Sequence, residues 1–257
     1  MKSLVKVFFI FFIFFCACIT TEYNVGTRRQ DIIFYSTQRE VTLGENIAQE
    51  IKKKFKISNN PVDIERVNRI GKDIVSVCDR KEINYYFYVV EEDDEGKRQK
   101  NAFSVPGGYV YIFKDLLDIL NDDELAFVLA HEVGHIVSRH VVKKLQAAFG
   151  YNLILLASVG LARDPEFTKG LSFALAQIMA AYSRDDEFNA DELAVKYLKL
   201  LNKEAKVAID VLEKLYKENK KEIRPLSYFR THPYTAERIR HIKEVLFLPL
   251  EASDYIN

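Results

Sequence analysis

The sequence of 257 residues has little histidine or cysteine, no tryptophan, and no excess of either charge. Two of its three cysteines lie within the first eighteen residues, which excludes a scaffold stabilised by several disulfides. Thirty-seven basic residues balance thirty-seven acidic ones, so a nucleic-acid partner is not favoured. The hydrophobic fraction of 48% excludes an intrinsically disordered chain.

The apolar runs of the sequence are shorter than a membrane-spanning helix needs, so a permanent span is the weaker interpretation of each. Residues 7–19 form a run of 13 uncharged residues, whereas a membrane-spanning helix needs roughly 17–25 residues. Two later apolar stretches, 151–162 and 171–182, are each too short for the same reason. We interpret these two stretches as a buried helical hairpin, with a hairpin that dips into a membrane as the alternative.

The N-terminal run has the pattern of an export signal, because two basic residues, Lys2 and Lys6, precede the apolar residues. Its end, FCAC at 15–18, is similar to the cleavage box of bacterial lipoproteins, although Phe15 stands where leucine is usual. We therefore expect residues 1–18 to be a lipoprotein signal, with lipid on Cys18 tethering an exported, periplasmic domain to a membrane. Ordinary signal cleavage and an uncleaved anchor are the alternatives.

Hydrophobic periodicity predicts a mostly α-helical protein with a small β-sheet, of the α+β class. Residues 19–44 show no clear period and are expected to form a leader, followed by a single domain over residues 45–257. A capping pair, Asn121 with Glu124, predicts a long helix that runs to about residue 145. Strands are expected at 85–90, 101–105 and 109–113, and further helices at 46–57, 61–78, 185–200, 204–218 and 234–246.

The strongest chemical signal is the motif His131-Glu132-Val133-Gly134-His135. Positions i and i+4 of a helix share one face, so the two imidazoles can bind one metal ion such as Zn²⁺. Glu132 projects close by and can take a proton from a water molecule that the metal activates. The flanking residues are apolar nearly all round the helix, which argues against the alternative of two solvated surface histidines.

A catalytic zinc site usually has three protein ligands, so a third ligand must come from elsewhere in the chain. His140 is five residues from His135, about 140° from the ligand face of a continuous helix, and is expected at the surface or a helix end. Glu187 and Asp191 are a better source, because they are again four residues apart. One can bind the metal and the other can accept the free N–H of a ligand histidine. The alternative is a solvated acidic helix start.

Four short segments occur in an order and spacing that carry a family resemblance over roughly residues 40–245. They are NAFSVPGG at 101–108, HEVGH at 131–135, EFNAD at 187–191, and THP followed by RI at 231–239. In these segments the chain resembles gluzincin metallopeptidases related to the CAAX prenyl endopeptidases and the HtpX heat-shock peptidases. It is most similar to their exported, periplasmic bacterial members, in a form without C-terminal helical repeats.

The resemblance implies a zincin-like domain that binds one Zn²⁺ ion per chain. It implies His131, His135 and Glu187 as the metal ligands, with Asp191 behind them. His232 is implied to face the metal, where it can stabilise the oxyanion of the tetrahedral intermediate. In a resting form His232 can instead occupy the open coordination position.

The resemblance also implies a polypeptide substrate and the strand that binds it. Asn101, Ala102 and Phe103 are implied to form the edge against which an extended peptide pairs, the alternative being an ordinary hairpin. The implied activity is that of a zinc metalloendopeptidase acting on unfolded or misassembled envelope proteins. A zinc-bound quality-control or binding module with little turnover is the alternative. Arg184 and Arg238 match the family pattern and are expected to make structural salt bridges.

Overall fold

Helices make up most of the computed structural model, which describes residues 21–33, 36–93, 99–149, 165–220 and 227–255. The described helices are α1 (Thr37–Lys54), α2 (Pro61–Val77), α3 (Lys114–Leu117), α4 (Asp122–Val137), α5 (His140–Phe149), α6 (Pro165–Ile178), α7 (Arg184–Leu200), α8 (Val207–Asn219), α9 (Ser227–Thr231) and α10 (Thr235–Val245). The described strands are β1 (Thr21–Asn24), β2 (Arg29–Ile32), β3 (Phe55–Ile57), β4 (Tyr86–Asp93), β5 (Ala102–Val105) and β6 (Tyr109–Phe113). The predicted α+β class, mostly helical with a small sheet, is confirmed.

The main sheet has four strands in the order β3-β4-β6-β5, so β5 lies at one edge. β4 and β6 are parallel, while β3 and β5 run antiparallel to their neighbours. The turn between β5 and β6 needs glycine at two positions, because Gly107 and Gly108 have φ angles of 75° and 95°. A Cβ atom on Gly108 would also collide with the carbonyl oxygen of Asn84.

The sheet lies between two apolar cores, because alternate residues of each strand face opposite sides. On one side Val89, Val110 and Ile112 pack in a core with residues of α2, α4, α7 and α8. On the other side Phe103 and Tyr111 pack in a second core with residues of α1, α5 and α6. Strands β5 and β6 and most of α4 are therefore buried, and they support the side chains at their common boundary.

Helix α4 begins as predicted but ends earlier than predicted. Asn121 accepts hydrogen bonds from the backbone N–H groups of Asp123 and Glu124, and the Glu124 carboxylate accepts from the Asn121 N–H. The expectation of one helix to about residue 145 is wrong, because Arg139 has a left-handed φ of 54°. A new helix, α5, starts at His140.

Helices α4 and α7 pack closely because a glycine stands at their contact. A Cβ atom on Gly134 would lie 3.0 Å from the carbonyl oxygen of Ala190. Contacts this short are tighter than side chains normally allow, so the absence of a side chain at Gly134 lets the two backbones approach. The motif at 131–135 therefore faces the acidic segment at 187–191.

The segment expected as a leader contains regular structure. Residues 21–32 form the antiparallel pair β1–β2, and α1 begins at Thr37, earlier than the predicted helix start at 46. Helix α1 ends at Lys54, because Phe55–Ile57 pairs with β4 instead of continuing the helix. The pairing of β3 with β4 joins residues more than 30 positions apart, which local periodicity does not predict, whereas β1–β2 is a short hairpin whose sequence shows no clear period.

Several expectations concern residues outside the described ranges. The predicted signal at 1–18, with Cys18, is among them, and so is the whole first stretch, 151–162, of the proposed apolar hairpin. The second half begins in α6, which packs on α1 and α5. Within the described ranges, no helix combines the length and the apolar character needed to cross a bilayer.

A candidate metal centre

Four buried side chains from three parts of the chain meet at one point. His131 and His135 come from α4, Glu187 comes from the first turn of α7, and His232 follows α9 directly. One potential ligand atom from each lies within 4.8 Å of the others, and all four residues are fully buried. The structure thus brings together the residues that the sequence predicted as ligands, together with His232.

The separations between these atoms suit a tetrahedral metal ion. Nε2 of His131 lies 3.1 Å from Nε2 of His135 and 3.5 Å from Oε2 of Glu187. Nε2 of His135 lies 3.4 Å from Oε1 of Glu187. Four ligands at zinc bond lengths of about 2.0–2.1 Å form a tetrahedron whose edges are about 3.3 Å. Two imidazole nitrogens and a carboxylate oxygen are also ligand types that zinc prefers.

His232 fills the fourth corner of this arrangement. Its Nδ1 lies 3.3 Å from Nε2 of His131 and 3.1 Å from Oε1 of Glu187. Its Nε2 points the other way, 3.3 Å from Oε1 of Glu132 and 3.3 Å from the carbonyl oxygen of Ala102. The His232 ring therefore lies between the ligand cluster and the edge strand β5.

Glu132 has two buried carboxylate oxygens that the described residues leave without hydrogen bonds. It is fully buried, and neither carboxylate oxygen makes a hydrogen bond within the described residues. Apart from the 3.3 Å contact of Oε1 with His232, the carboxylate has no hydrogen bond, and such buried groups call for an explanation such as a catalytic role or a bound ion or water. Its position beside the ligand cluster suits a group that exchanges protons with a molecule bound there.

Asp191 and Arg238 form a buried ion pair behind the ligands. Asp191 accepts hydrogen bonds from His131 Nδ1 at 2.9 Å and from Arg238 at 2.8 and 2.7 Å. Nη1 of Arg238 also lies 2.9 Å from Oε2 of Glu187. Burial alone would raise the pKa of Asp191, but the charge and hydrogen bonds of Arg238 and His131 lower it. The carboxylate stays ionised and accepts the hydrogen bond from Nδ1 of His131, which orients the ring so that Nε2 faces His135 and Glu187.

Arg184 and Arg238, the two arginines of the family pattern, have different surroundings. Arg184 makes an exposed ion pair with Glu237 at 3.2 Å, as expected of a structural salt bridge. Arg238 is fully buried and contacts Asp191 and Glu187, so its ion pairs belong to the centre itself. Sequence reasoning did not place Arg238 there, because only the fold brings α10 against α7.

His140 was expected at the surface or at a helix end, and it lies at a helix end but not at the surface. The residue begins α5, yet only 2% of it is exposed, and its Nδ1 lies 2.9 Å from Nδ1 of His135. Burial and the neighbouring His135 lower the pKa of His140 to about 3. The prediction assumed one continuous helix, but the chain turns at Arg139, and this turn brings His140 next to His135.

Tyr182 is a second neighbour of the centre that the sequence did not reveal. Its ring stacks on the His135 ring, with centroids 3.9 Å apart and an interplanar angle of 22°. Its hydroxyl is buried and makes no hydrogen bond of good geometry within the described residues. The sequence did not indicate this contact, because Tyr182 precedes α7 and no helical spacing relates it to Glu187.

The edge strand β5 is partly covered by the chain itself. Asn101 directs its carbonyl oxygen toward β6, where it accepts from the Phe113 N–H at 2.9 Å, so Ala102 and Ser104 direct their backbone groups outward. The Ala102 N–H donates to Asn101 Oδ1 at 3.0 Å, and the Ala102 carbonyl faces His232. Both outward backbone groups of Ala102 therefore already contact other groups of this chain.

Comparisons with known proteins identify a peptidase family and relatives that are named as proteases. The family model for peptidase family M48 matches residues 61–246.

Metalloprotease LoiP of Escherichia coli K12 is 26% identical over 207 residues, which cover 79% of each chain. Beta-barrel assembly-enhancing protease of the same organism is 24% identical over 218 residues, covering 79% of this chain and 43% of the relative. Mitochondrial metalloendopeptidase OMA1 of Schizosaccharomyces pombe is 28% identical over 183 residues, covering 70% of this chain and 52% of the relative. The chain thus spans about half the length of the last two.

Proposed function

The chain belongs to peptidase family M48, and we propose that it is a zinc endopeptidase whose metal is held by His131, His135 and Glu187. Membership of this family, together with relatives named as metalloproteases, makes it a metalloendopeptidase with a polypeptide substrate. The observation that carries the residue assignment is the set of ligand separations near 3.3 Å in a fully buried cluster.

The donor set favours zinc over the other common divalent ions. Imidazole nitrogens suit zinc, whereas magnesium and calcium bind almost only oxygen ligands. When bound, zinc polarises the scissile carbonyl and lowers the pKa of water. The buried ion pair of Asp191 with Arg238 supports this assignment, because Asp191 accepts the hydrogen bond from Nδ1 of His131 and so directs Nε2 toward the metal position.

Glu132 is proposed as the general base. Both of its oxygens lack hydrogen-bond partners in the described residues, so they are available to a water molecule and to the substrate. Glu132 takes a proton from the attacking water and later gives it to the leaving amine. Its backbone position between the two ligand histidines keeps the carboxylate beside the reacting carbonyl.

His232 is proposed to have two positions. In the position described, its Nδ1 is 3.1 Å from the Glu187 carboxylate, where the attacking water and the substrate carbonyl would otherwise lie. This supports a resting form in which His232 is the fourth ligand. For His232 to stabilise the oxyanion, its ring must leave the fourth corner while remaining within hydrogen-bonding distance of the reacting atoms.

The substrate is proposed to pair as an extended strand with the outer edge of β5. This edge includes Asn101, Ala102 and Phe103, and the outward backbone groups belong to Ala102 and Ser104. Movement of His232 would also free the Ala102 carbonyl, which its ring faces at 3.3 Å. Opening the metal position and exposing the edge strand would therefore be one event.

The natural substrates are proposed to be unfolded or misassembled proteins of the bacterial envelope. The similarity to a protein named beta-barrel assembly-enhancing protease supports this substrate class. A lipoprotein signal at residues 1–18, with lipid on Cys18, would tether the domain in the periplasm, where such substrates occur. Unfolded proteins also suit a site that binds backbone in extended form.

One observation favours a second candidate, a zinc-bound quality-control module with little turnover. His232 occupies the fourth corner, and a permanently four-coordinate zinc has no position for water. The two candidates make different predictions for the Glu132→Gln variant, which removes the base and leaves all four proposed ligands in place.

The test uses the full chain, purified with its metal, and an unfolded protein as substrate. The peptidase predicts one zinc per chain by elemental analysis, cleavage abolished by a chelator, and a fall of about 10²–10⁴-fold in the rate for Glu132→Gln. The His135→Ala variant should lose the metal. Equal rates for wild type and Glu132→Gln would refute the peptidase mechanism, and zinc binding without any cleavage would favour the binding module.

A further inference from the structure

The place of His140 in the fold is decided by the end of α4. In an uninterrupted helix its side chain would lie about 140° from that of His135. Arg139 instead takes a left-handed conformation with a φ of 54°. The chain turns there, and α5 begins at His140 in a new direction that returns the His140 side chain to His135.

Side chains from the N-terminal segment hold this turn in place. The Arg139 guanidinium donates to Glu40 Oε2 at 2.8 Å and to Glu22 Oε2 at 2.6 Å. The Asn24 amide donates to the Ser138 carbonyl oxygen at 2.7 Å. A left-handed conformation costs a residue with a side chain about 1–3 kcal/mol, so it persists only where the surroundings enforce it. Here a buried ion pair and a buried hydrogen bond enforce it.

The turn brings the two imidazoles into direct contact. Nδ1 of His135 and Nδ1 of His140 lie 2.9 Å apart, and the ring planes meet at 72°. Among the described residues, His140 is the group that hydrogen-bonds Nδ1 of His135. On its far side, Nε2 of His140 lies 3.4 Å from Oδ1 of Asp186 in the first turn of α7.

The direction of the hydrogen bond follows from the proposed role of His135. Its Nε2 faces the other ligand atoms, 3.1 Å from His131 Nε2 and 3.4 Å from Glu187 Oε1. A histidine that binds metal through Nε2 carries its proton on Nδ1 and donates it. His140 Nδ1 must then accept, so the proton of the neutral His140 ring is on Nε2, toward the Asp186 carboxylate.

We propose that His140 is a positioning residue that fixes the tautomer and the ring orientation of His135 by accepting the hydrogen bond from Nδ1. The inference rests on the proposed binding of zinc by His135. The two ligand histidines then have unlike partners, because His131 donates to the carboxylate of Asp191, whereas His135 donates to a neutral imidazole. An ionised partner increases ligand basicity, so His131 is the stronger electron donor to the metal.

A matched pair of variants separates hydrogen bonding from packing. His140→Asn places an oxygen close to the position of Nδ1, and His140→Leu has the same branching without an acceptor. Zinc affinity is measured on the full chain by competition with a chelator, with His241→Gln as a control for removal of a histidine. His241 is partly exposed and contacts the exposed carboxylate of Glu192. We expect His140→Leu to weaken zinc binding about 10–100-fold, and His140→Asn by at most about threefold.

The inference is overturned if His140→Leu binds zinc like the wild type, or if both variants lose affinity equally, which would indicate a packing role. Nitrogen-15 NMR of the zinc-loaded wild type tests it independently, because the chain has only five histidines. We expect the Nε2–H tautomer for His140, and the Nδ1–H tautomer would overturn the inference even if His140→Leu does not fold. A wild type without zinc would refute both this inference and the proposed function, whereas unchanged affinity in His140→Leu would refute this inference alone.

Discussion

Replacement of Asp191 by asparagine tests how buried charge holds the centre together. The Asp191 carboxylate accepts three hydrogen bonds, one from His131 at 2.9 Å and two from Arg238 at 2.8 and 2.7 Å. All three residues are fully buried. Asparagine keeps the shape of the side chain but has one acceptor oxygen and an NH₂ group. Its NH₂ group must therefore face an N–H donor of His131 or of Arg238.

The size of the effect follows from these contacts. Removing one partner of a buried ion pair costs about 3–5 kcal/mol. Arg238 keeps a second carboxylate, Glu187, at 2.9 Å, so we expect the lower end of that range, about 3 kcal/mol, in the free energy of unfolding. Loss of the acceptor behind a ligand histidine also weakens metal binding, by about 10–100-fold.

Urea unfolding of the metal-free protein measures the first effect, and chelator competition measures the second. The control is Glu237→Gln, which removes the exposed ion pair with Arg184 and should cost less than about 1 kcal/mol. The pKa of Asp191 lies below its ordinary value of 3.8 in the folded state. Its contribution is therefore present at neutral pH and is lost as the pH falls through the lowered value. A metal-free Asp191→Asn protein as stable as the control at pH 7 would refute the reasoning.

Three further variants test the strand, the turn and the helix contact. Ser104→Pro removes an outward N–H of β5 without breaking its pairing with β6, and we expect cleavage of an unfolded substrate to fall about 2–10-fold. Glu40→Gln removes the charge between two buried guanidinium groups, and urea unfolding should show a loss of about 3–5 kcal/mol. Gly134→Ala places a Cβ atom 3.0 Å from the Ala190 carbonyl oxygen. The cost of overpacking, about 1–3 kcal/mol, should exceed the gain in helix propensity of up to about 1 kcal/mol. We therefore expect a lower melting temperature.

The parts of the site that the sequence predicted share one property, which is that they depend on local helix geometry. The spacing of four residues between His131 and His135, and again between Glu187 and Asp191, fixes which side chains share a face. The strand, turn and strand before α4 are local as well, because Gly107 and Gly108 mark the turn. Wherever the chemistry needed only one turn of helix or one hairpin, the sequence carried enough information.

The parts that the sequence did not predict depend on contacts between distant segments. His140 is near His135 only because Arg139 interrupts the helix, and the interruption is held by Glu40, 99 residues earlier in the chain. Arg238 reaches Asp191 across 47 residues. Nothing in the local pattern around Arg139 indicates a left-handed residue, because arginine is an ordinary helix former. Such contacts can be identified only when the fold is known.

The most distant of these contacts come from residues before the segment that matches the M48 family. That match begins at residue 61, yet Glu40 lies between the buried guanidiniums of Arg80 and Arg139. Arg80 also donates to the Ile136 carbonyl at 3.2 Å, and so satisfies the C-terminal end of α4. Without α1, both guanidiniums would be buried without that carboxylate, and the turn that directs His140 to His135 would lose its main restraint. The N-terminal segment is therefore a structural support of the candidate metal centre, although it contributes no proposed ligand.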